Sequence, residues 1–323
     1  MSQQIPVQHW TQVQEAGVLF GVKLLFWIYR IFGRPLLYLL LGPVIFYFFI
    51  FRSHSRQASL DYLWRLHRFA PESLTRPTLW MSLRHFFNFA TCLVDKIAAW
   101  SGQINSDKIS VSGHQELKQL LNEGQGGVLI ISHLGNMEVC RALAEKNPKL
   151  HLNILIDTQN AQNFNQLAKK LDPNGNISLL QVGEFNPATA MMLNSKVMAG
   201  EFIAVAGDRT PRDSTNQGGN STLVEFLGEP ALFPEGVHLL AGMLRCPLYM
   251  IFSLKQQRHF NIYFELLEAT PKLPRKMRKE MLNVMAQRYA QRLEYYCKLA
   301  PLQWFNFYQF WQNPKQPNDQ HEK

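Results

Sequence analysis

The chain has 323 residues, of which 46% are hydrophobic and 12% aromatic, so it can bury one large core and is not a disordered protein. Its formal net charge of +9 favours a polyanionic partner, and charge alone leaves open nucleic acid, an anionic membrane surface, an acidic carrier protein and a phosphorylated substrate. The four cysteines are scattered, without a CxxC pair or a metal-ligand spacing. This argues against disulfides and a zinc site, and it favours a reducing, cytoplasmic environment.

The N-terminal stretch Val18–Phe51 is dominated by apolar and aromatic side chains. Its only charged residues are Lys23, Arg30 and Arg34. The uninterrupted apolar run Pro35–Phe51 is about 17 residues long, at the short end of what spans a bilayer as a helix, with Pro43 near its middle. We therefore expect a membrane segment that either spans the bilayer or dips in and returns. A signal peptide is not expected, because the apolar stretch is too long and no small-residue cleavage site follows it.

Positive residues come directly after the membrane segment. They are Arg52, Arg56, Arg65 and Arg68. Such residues usually flank an apolar segment on its cytoplasmic side, so the remaining chain is expected to face the cytoplasm. The predicted organisation is a membrane-anchoring segment over residues 1–56, one α/β domain over 57–312 and a disordered tail over 313–323.

The next elements in the chain are two predicted helices, Ser59–Phe69 and Leu79–Trp100. From Lys108 onwards, short β-rich runs alternate with helical patterns, which is typical of an α/β sheet. The predicted strands are Ile109–Val111, Val128–Ser132, Leu152–Ile156, Ile177–Val182, Phe202–Ala206, Leu248–Leu254 and Asn261–Leu266. Several of these runs are continuously apolar, as expected of central strands that are covered on both faces. A long helix is predicted over Lys276–Cys297.

The most informative motif follows the second predicted strand, which ends at His133. A helix is expected to start near Asn136, so that Glu138 falls in its first turn, and the turn at Gly135 can fold the carboxylate back toward the imidazole. A carboxylate bonded to one ring nitrogen would fix the tautomer and leave the other nitrogen as a base. For an isolated histidine at a strand end, a purely structural hydrogen bond is the alternative. The sequence has no GxSxG elbow, which favours direct transfer over an acyl-enzyme.

The segment His133–Glu138, HLGNME, resembles the HxxxxE form of the HxxxxD/E motif in the lysophospholipid acyltransferase superfamily, and most closely its late lipid A (lauroyl/myristoyl) branch. The resemblance includes the N-terminal membrane segment and two later blocks, AGDRTP over 206–211 and LFPEG over 232–236. It implies a mixed, mostly parallel sheet flanked by helices. It also implies that His133 is the general base that deprotonates the acceptor hydroxyl and that Glu138 orients it.

Asp208 and Arg209 come after the predicted strand Phe202–Ala206, so they are expected at the same sheet edge as His133. An arginine there can grip a phosphate or carrier group, with Asp208 holding it in position. The alternative is a structural ion pair between the two residues. The family resemblance favours binding of acceptor or donor, and we assign Asn136 a substrate-binding role as well.

The block Phe233, Pro234, Glu235 and Gly236 is predicted to begin a helix, with Pro234 near its first turn. Free backbone N–H groups at that point can bind an anion or stabilise an oxyanion, and an ordinary helix start is the alternative. In glycerolipid acyltransferases the related block continues with Thr and Arg, whereas here it continues with Val and His. This difference argues against a glycerol-phosphate acceptor.

Three further segments have two interpretations each. The polar loop Thr210–Ser221 is either a lid over an entry or a plain surface loop. The aromatic segment Pro301–Trp311 either docks onto the core or lies at the membrane interface. The basic stretch Lys272–Lys279 either meets an acidic carrier protein or anionic lipid, or is a solvated helix start.

Together with these features, the family resemblance implies an acyltransferase of the bacterial inner membrane that needs no metal or cofactor. The expected donor is an acyl-carrier-protein thioester, with coenzyme A as the alternative, and the expected acceptor is a glycolipid such as a lipid A precursor. A lysophospholipid, a specialised pigment lipid and a noncatalytic lipid-binding role are the other possibilities. Nucleic-acid binding is not expected, because the sequence contains no known module or basic aromatic groove.

Overall fold

The structure is a computed structural model that describes residues 9–100, 109–140, 147, 149–156, 176–181, 186–209, 221–257 and 259–311, with side chains from residue 27 onwards. The predicted lid over Thr210–Ser221, apart from its last residue, and the predicted disordered tail lie outside these residues. The division of the chain into three parts therefore stays a prediction.

Helix α1 (His9–Phe51) contains the predicted membrane segment. Within the described part of the chain it is the one helix long and apolar enough to cross a membrane, over Trp27–Phe51, with a mean hydropathy of 1.8 and only 11% of that window buried. The helix breaks at Gly33, whose φ of 71° is non-helical, and Pro35 follows. One side of α1 packs through Tyr29 and Leu37 against the helix Leu79–Trp100, and most of its other apolar side chains are exposed.

Two helices connect this segment to the sheet, as predicted. Helix α2 (Ser53–Phe69) begins earlier than expected, and helix α3 (Leu79–Trp100) has the predicted bounds. Tyr62, Leu63 and Leu66 of α2 are fully buried in the main core. Helix α2 is therefore part of the folded domain.

A seven-stranded sheet forms the centre of the domain, in the order β1-β9-β8-β2-β5-β3-β4. Its strands are β1 (Ile109–Ser112), β2 (Gly127–Ile131), β3 (Leu152–Ile156), β4 (Ile177–Gln181), β5 (Phe202–Ala206), β8 (Leu248–Gln256) and β9 (His259–Glu268). All neighbouring pairs are parallel except β8 and β9, which are antiparallel. The predicted mixed, mostly parallel α/β sheet is confirmed.

An antiparallel hairpin of β6 (Ser221–Phe226) and β7 (Glu229–Pro234) lies outside the central sheet and was not predicted. The remaining α-helices among the described residues are α4 (His114–Glu123), α5 (Pro187–Met198), α6 (Gly236–Leu244) and α7 (Arg278–Leu299). Val128 and Ile130 of β2 join the core cluster that contains α6 and α7, while Leu129 joins the one that contains α4. Strand β2 is thus covered on both faces, as its continuous apolar run predicts.

Candidate active site

His133 and Asp208 meet at the carboxyl edge of the sheet. In the parallel pair of β2 and β5, Ile131 lies opposite Ala206, and each of the two functional residues comes two positions later. The His133 Nδ1 atom lies 2.8 Å from Asp208 Oδ1, and the His133 backbone N–H donates to Asp208 Oδ2 at 2.7 Å. The sheet register therefore brings together two residues that are 75 positions apart in the chain.

The Asp208 carboxylate is 1% exposed and accepts three hydrogen bonds. The third donor is the indole N–H of Trp304, 2.9 Å from Oδ2. Burial alone raises the pKa of Asp208, but the attraction of His133 and these hydrogen bonds outweigh burial and hold the pKa below its ordinary value. Asp208 is therefore an ionised acceptor, and Nδ1 of His133 is the donor in their hydrogen bond.

The His133 side chain is 34% exposed, in contrast to its partner. Because Nδ1 carries the proton shared with Asp208, the neutral ring has its lone pair at Nε2. Within the described part of the chain, Nε2 has no hydrogen-bond partner. The imidazole can therefore take a proton from a group that approaches the sheet edge.

The carboxylate at the imidazole is thus that of Asp208, which sequence analysis had assigned to substrate binding. Glu138 lies on a short 3₁₀ helix, Met137–Val139, and its backbone N–H donates to the Asn136 side chain at 3.2 Å. Asp208 takes the position at a ring nitrogen that was expected for Glu138. An orienting role for Glu138 stays a prediction.

Backbone hydrogen bonds on two sides fix residues 132–136, which we call the His133 loop. The Gly135 N–H donates to the Gln303 carbonyl at 2.8 Å, and the Asn136 N–H donates to the Ser253 carbonyl at 2.9 Å. Gly135 has φ of 75°, and a Cβ atom there would lie 1.9 Å from the Ser253 oxygen. Only glycine fits this position, and its lack of a side chain allows the loop to lie in close contact with β8.

The comparison with known proteins fits this geometry. The family model of the bacterial lipid A biosynthesis acyltransferases matches residues 71–313, which include His133, Glu138, Asp208 and Trp304. The chain belongs to this family. It is therefore an acyltransferase that acts on lipid, and the suspected family resemblance is confirmed. No curated protein matches the sequence.

Trp304 is a residue of the candidate site of this acyltransferase that sequence analysis missed. It is fully buried among aromatic rings, with Tyr62 at 5.0 Å and Phe226 at 5.3 Å between ring centroids. For the segment Pro301–Trp311, docking onto the core was one of the two expectations, and the structure confirms it. The sequence offered one indication of this contact, because the indole N–H of a tryptophan that docks onto the core requires a hydrogen-bond acceptor.

His85, on α3, is hydrogen-bonded to the backbone of Trp304. This fully buried imidazole has Nε2 at 2.9 Å from the Trp304 carbonyl and Nδ1 at 3.0 Å from Ser59 Oγ. Burial lowers the pKa of His85 to about 4, although the carbonyl opposes the shift. The ring is therefore neutral, and since a carbonyl only accepts, Nε2 carries the proton while Nδ1 accepts from the Ser59 hydroxyl.

Arg209 lies beside the pair but does not bind Asp208. Its guanidinium donates to the Phe305 carbonyl at 3.2 Å and lies 5.6 Å from the centroid of the Tyr308 ring. The Asp208 carboxylate hydrogen-bonds to His133 and Trp304 instead, and among the described residues there is no ion pair between Asp208 and Arg209, so the alternative of a structural pair is not supported. Whether Arg209 binds substrate stays a prediction.

The block 233–236 differs from the sequence expectation. Phe233 and Pro234 end strand β7, and helix α6 begins only at Gly236, with Glu235 at its N-cap. The predicted helix start at Pro234 is wrong, because the block pairs with β6 up to Pro234 in the unpredicted hairpin.

Phe233 is fully buried against Tyr289 and Phe310, so it is part of the main core. Partial burial raises the pKa of Glu235, and Lys279 opposes the rise. Substrate binding by these four residues stays a prediction.

A cavity of about 280 Å³ adjoins the His133 loop on the side of β8. Its walls come from α3, from Gly135 and Asn136, from the ends of β8 and β9, and from the segment after α7. Among the described residues, no group of three or more His, Cys, Asp and Glu side chains is arranged to hold a metal ion. The expectation that no metal or cofactor is needed stays a prediction.

Proposed function

We propose that this acyltransferase moves a fatty acyl chain from an acyl-carrier-protein thioester to a hydroxyl of a glycolipid such as a lipid A precursor, with coenzyme A as the alternative donor carrier. The observation that carries the proposal is the His133–Asp208 pair. It combines a buried, ionised carboxylate with an imidazole whose second nitrogen is accessible at the sheet edge, in a chain of this family.

In the proposed reaction, Nε2 of His133 accepts the proton of the acceptor hydroxyl as its oxygen attacks the thioester carbonyl. Asp208 stabilises the imidazolium that forms, because its carboxylate already faces Nδ1. The tetrahedral intermediate then collapses with cleavage of the carbon–sulfur bond. The imidazolium returns the proton to the leaving thiolate, so the products are an ester and a free thiol.

The negative charge that develops on the carbonyl oxygen needs a cation or N–H donors. We propose Arg209 for this role, since it is the cation next to Asp208 in the chain. The backbone N–H groups at the start of α6, near Gly236, are the second proposed source. Glu138 and Asn136 are proposed to position the acceptor and the His133 loop.

The proposed location is the bacterial inner membrane, with the catalytic domain on the cytoplasmic side. The exposed apolar surface of α1 supports a membrane anchor, and the arginines that follow it support this orientation. A cytoplasmic site would have access to acyl carrier protein, and the basic stretch Lys272–Lys279 is proposed as a docking point for this acidic partner.

The test is acyl transfer from labelled acyl carrier protein to a panel of glycolipids, lysophospholipids and pigment lipids, with purified protein in detergent. We expect His133→Ala to lower the transfer rate by about a hundredfold or more, as loss of a general base does. His114→Ala, at an exposed position at the start of α4, is the matched control and should transfer like the parent. Undiminished transfer by a folded His133→Ala protein would refute the mechanism, and a preferred lysophospholipid or pigment lipid would replace the glycolipid.

A further inference from the structure

The cavity beside the His133 loop contains a buried carboxylate with spare acceptor capacity. Asp95 of α3 is 1% exposed, and its Oδ2 accepts from Lys255 Nζ at 2.5 Å. Its other oxygen, Oδ1, lies 3.5 Å from an Arg34 guanidinium nitrogen, yet it accepts no hydrogen bond within the described part of the chain. A buried oxygen without a donor is costly, so this wall of the cavity favours a ligand that brings one.

The other polar groups of the cavity wall both donate and accept. Asn88 uses its amide N–H on the Leu302 carbonyl, which leaves its oxygen as an acceptor, and the Thr91 hydroxyl donates within its own helix and can still accept. Asn136 donates one N–H to the Cys92 carbonyl and has a second. A hydroxyl group is the ligand that satisfies such a mixture, because it donates and accepts at once.

The charge of the Asp95 carboxylate is already compensated, because Lys255 and Arg34 both lie within ion-pair distance of it. A ligand that donates to Oδ1 therefore does not have to be a cation, and a neutral hydroxyl is sufficient. The volume, about 280 Å³, lies at the lower end of ligand pockets and suits a headgroup more than a whole lipid.

We propose that this cavity binds a neutral, hydroxyl-rich part of the acceptor headgroup, a sugar ring or a glycerol, through Asp95, Thr91 and Asn88. The proposal rests on the proposed function. Because Gly135 and Asn136 of the His133 loop form one wall, a headgroup held here is bound next to the loop that presents the catalytic imidazole. Asp95 thus acts in acceptor selection.

The experiment compares acceptors with identical acyl chains and three headgroups: an unphosphorylated glycoside, its phosphorylated counterpart and a simple alcohol with no further hydroxyl. We expect Asp95→Asn to raise KM for the glycoside about tenfold, as loss of a hydrogen bond to a charged group does, with little change for the simple alcohol or for the donor.

Thr91→Val tests the same wall without disturbing the ion pairs, and it should raise the glycoside KM by a smaller factor. Asp61→Asn is the matched control, because Asp61 is also an ion-paired aspartate but lies outside the cavity wall, next to Arg65. Thermal unfolding of each variant checks that it is folded.

Binding of water-soluble analogues gives a readout that does not need transfer. Methyl glucoside, glycerol and glucose phosphate are titrated against the parent and the Asp95→Asn protein, with saturation-transfer NMR as the detector. Binding of a neutral polyol by the parent and its loss in the variant supports the proposal, and the stronger of the two polyols identifies the headgroup. Unchanged acceptor KM values in both cavity variants, or preferred binding of the phosphate, would overturn it. If His133→Ala still abolishes transfer in that case, the proposed function stands without this site.

Discussion

Two histidines are linked to Trp304 by hydrogen bonds, His85 directly and His133 through Asp208, and their surroundings give them opposite properties. His85 is fully buried and hydrogen-bonded at both ring nitrogens, and burial lowers its pKa to about 4. His133 is bonded at Nδ1 only, to an ionised carboxylate, and has its other nitrogen at the accessible edge of the sheet. The comparison teaches that a histidine is suited to proton transfer when one nitrogen is fixed and the other is free. When both are engaged, it serves as a structural bridge.

The largest expected effect comes from removing the charge that fixes His133. We expect Asp208→Asn to lower the acyl-transfer rate by about a hundredfold to ten-thousandfold, because the amide no longer holds the Nδ1–H tautomer or stabilises the imidazolium. Steady-state kinetics with labelled thioester measure the effect, and Asp61→Asn is the control. Transfer by Asp208→Asn within threefold of the parent would show that another group, such as Glu138, orients the ring.

Removing the bridging histidine should affect stability first. His85→Leu removes two buried hydrogen bonds, while the Ser59 hydroxyl keeps Ser82 and the Trp304 carbonyl keeps the Asn306 N–H as a partner. At about 0.5–1.5 kcal/mol for each lost bond, denaturant unfolding in detergent should give a free energy of unfolding lower by about 1–3 kcal/mol. His259→Leu, at an exposed position, should be close to neutral. A His85→Leu protein as stable as the parent would contradict the bridge.

The pH dependence of stability separates the two histidines further. Because the pKa of His85 falls from 6.5 to about 4 on folding, the unfolded chain takes up the proton first as the pH falls, and the free energy of unfolding decreases below pH 6.5. Between pH 7 and pH 5 the parent should lose about 2 kcal/mol more than His85→Gln. His238, whose pKa burial also lowers to about 4, contributes equally in both proteins and cancels in the difference. Equal pH profiles would rule out a neutral, buried His85.

The smallest of these effects concerns the hydrogen bond from the Trp304 indole to Asp208. Trp304→Phe removes one of three donors to Asp208, and we expect about a tenfold lower transfer rate, since a hydrogen bond to a charged group is lost. Trp311→Phe is the matched control, because its indole N–H donates to a backbone carbonyl at 3.3 Å, away from Asp208. Equal rates in both variants would assign Trp304 a packing role alone.

The spacing of apolar residues, together with the residues that end helices and strands, was enough to predict most of the fold. The bounds of α3, β3 and β5 agree with the prediction, because long amphipathic and short apolar runs leave little ambiguity. The hairpin of β6 and β7 was missed. Its second strand contains two prolines, which lower the strand signal and suggested a helix start instead.

The site could be predicted only in part. His133 stands out because it ends a buried strand within a motif, and Asp208 follows a second such strand. Their pairing depends on which strands are neighbours, and neither spacing nor composition reveals that β2 and β5 lie side by side. Glu138 was preferred as the partner because the turn at Gly135 can fold it back toward the imidazole and because the family motif pairs the two residues. The role of Trp304 depends on contacts across 96 positions, which a single sequence does not report.

The dependence of the His133–Asp208 pair on Trp304 and Phe305 also sets an order of events during synthesis. The apolar helix α1 leaves the ribosome before the strands that precede His133 and Asp208. The third donor to Asp208 and the N–H that binds the His133 carbonyl, at 3.0 Å, arrive only with the segment after α7. With the proposed membrane location, a nascent chain is anchored long before it is competent for acyl transfer, and we expect C-terminal truncation before Trp304 to leave an anchored but inactive protein.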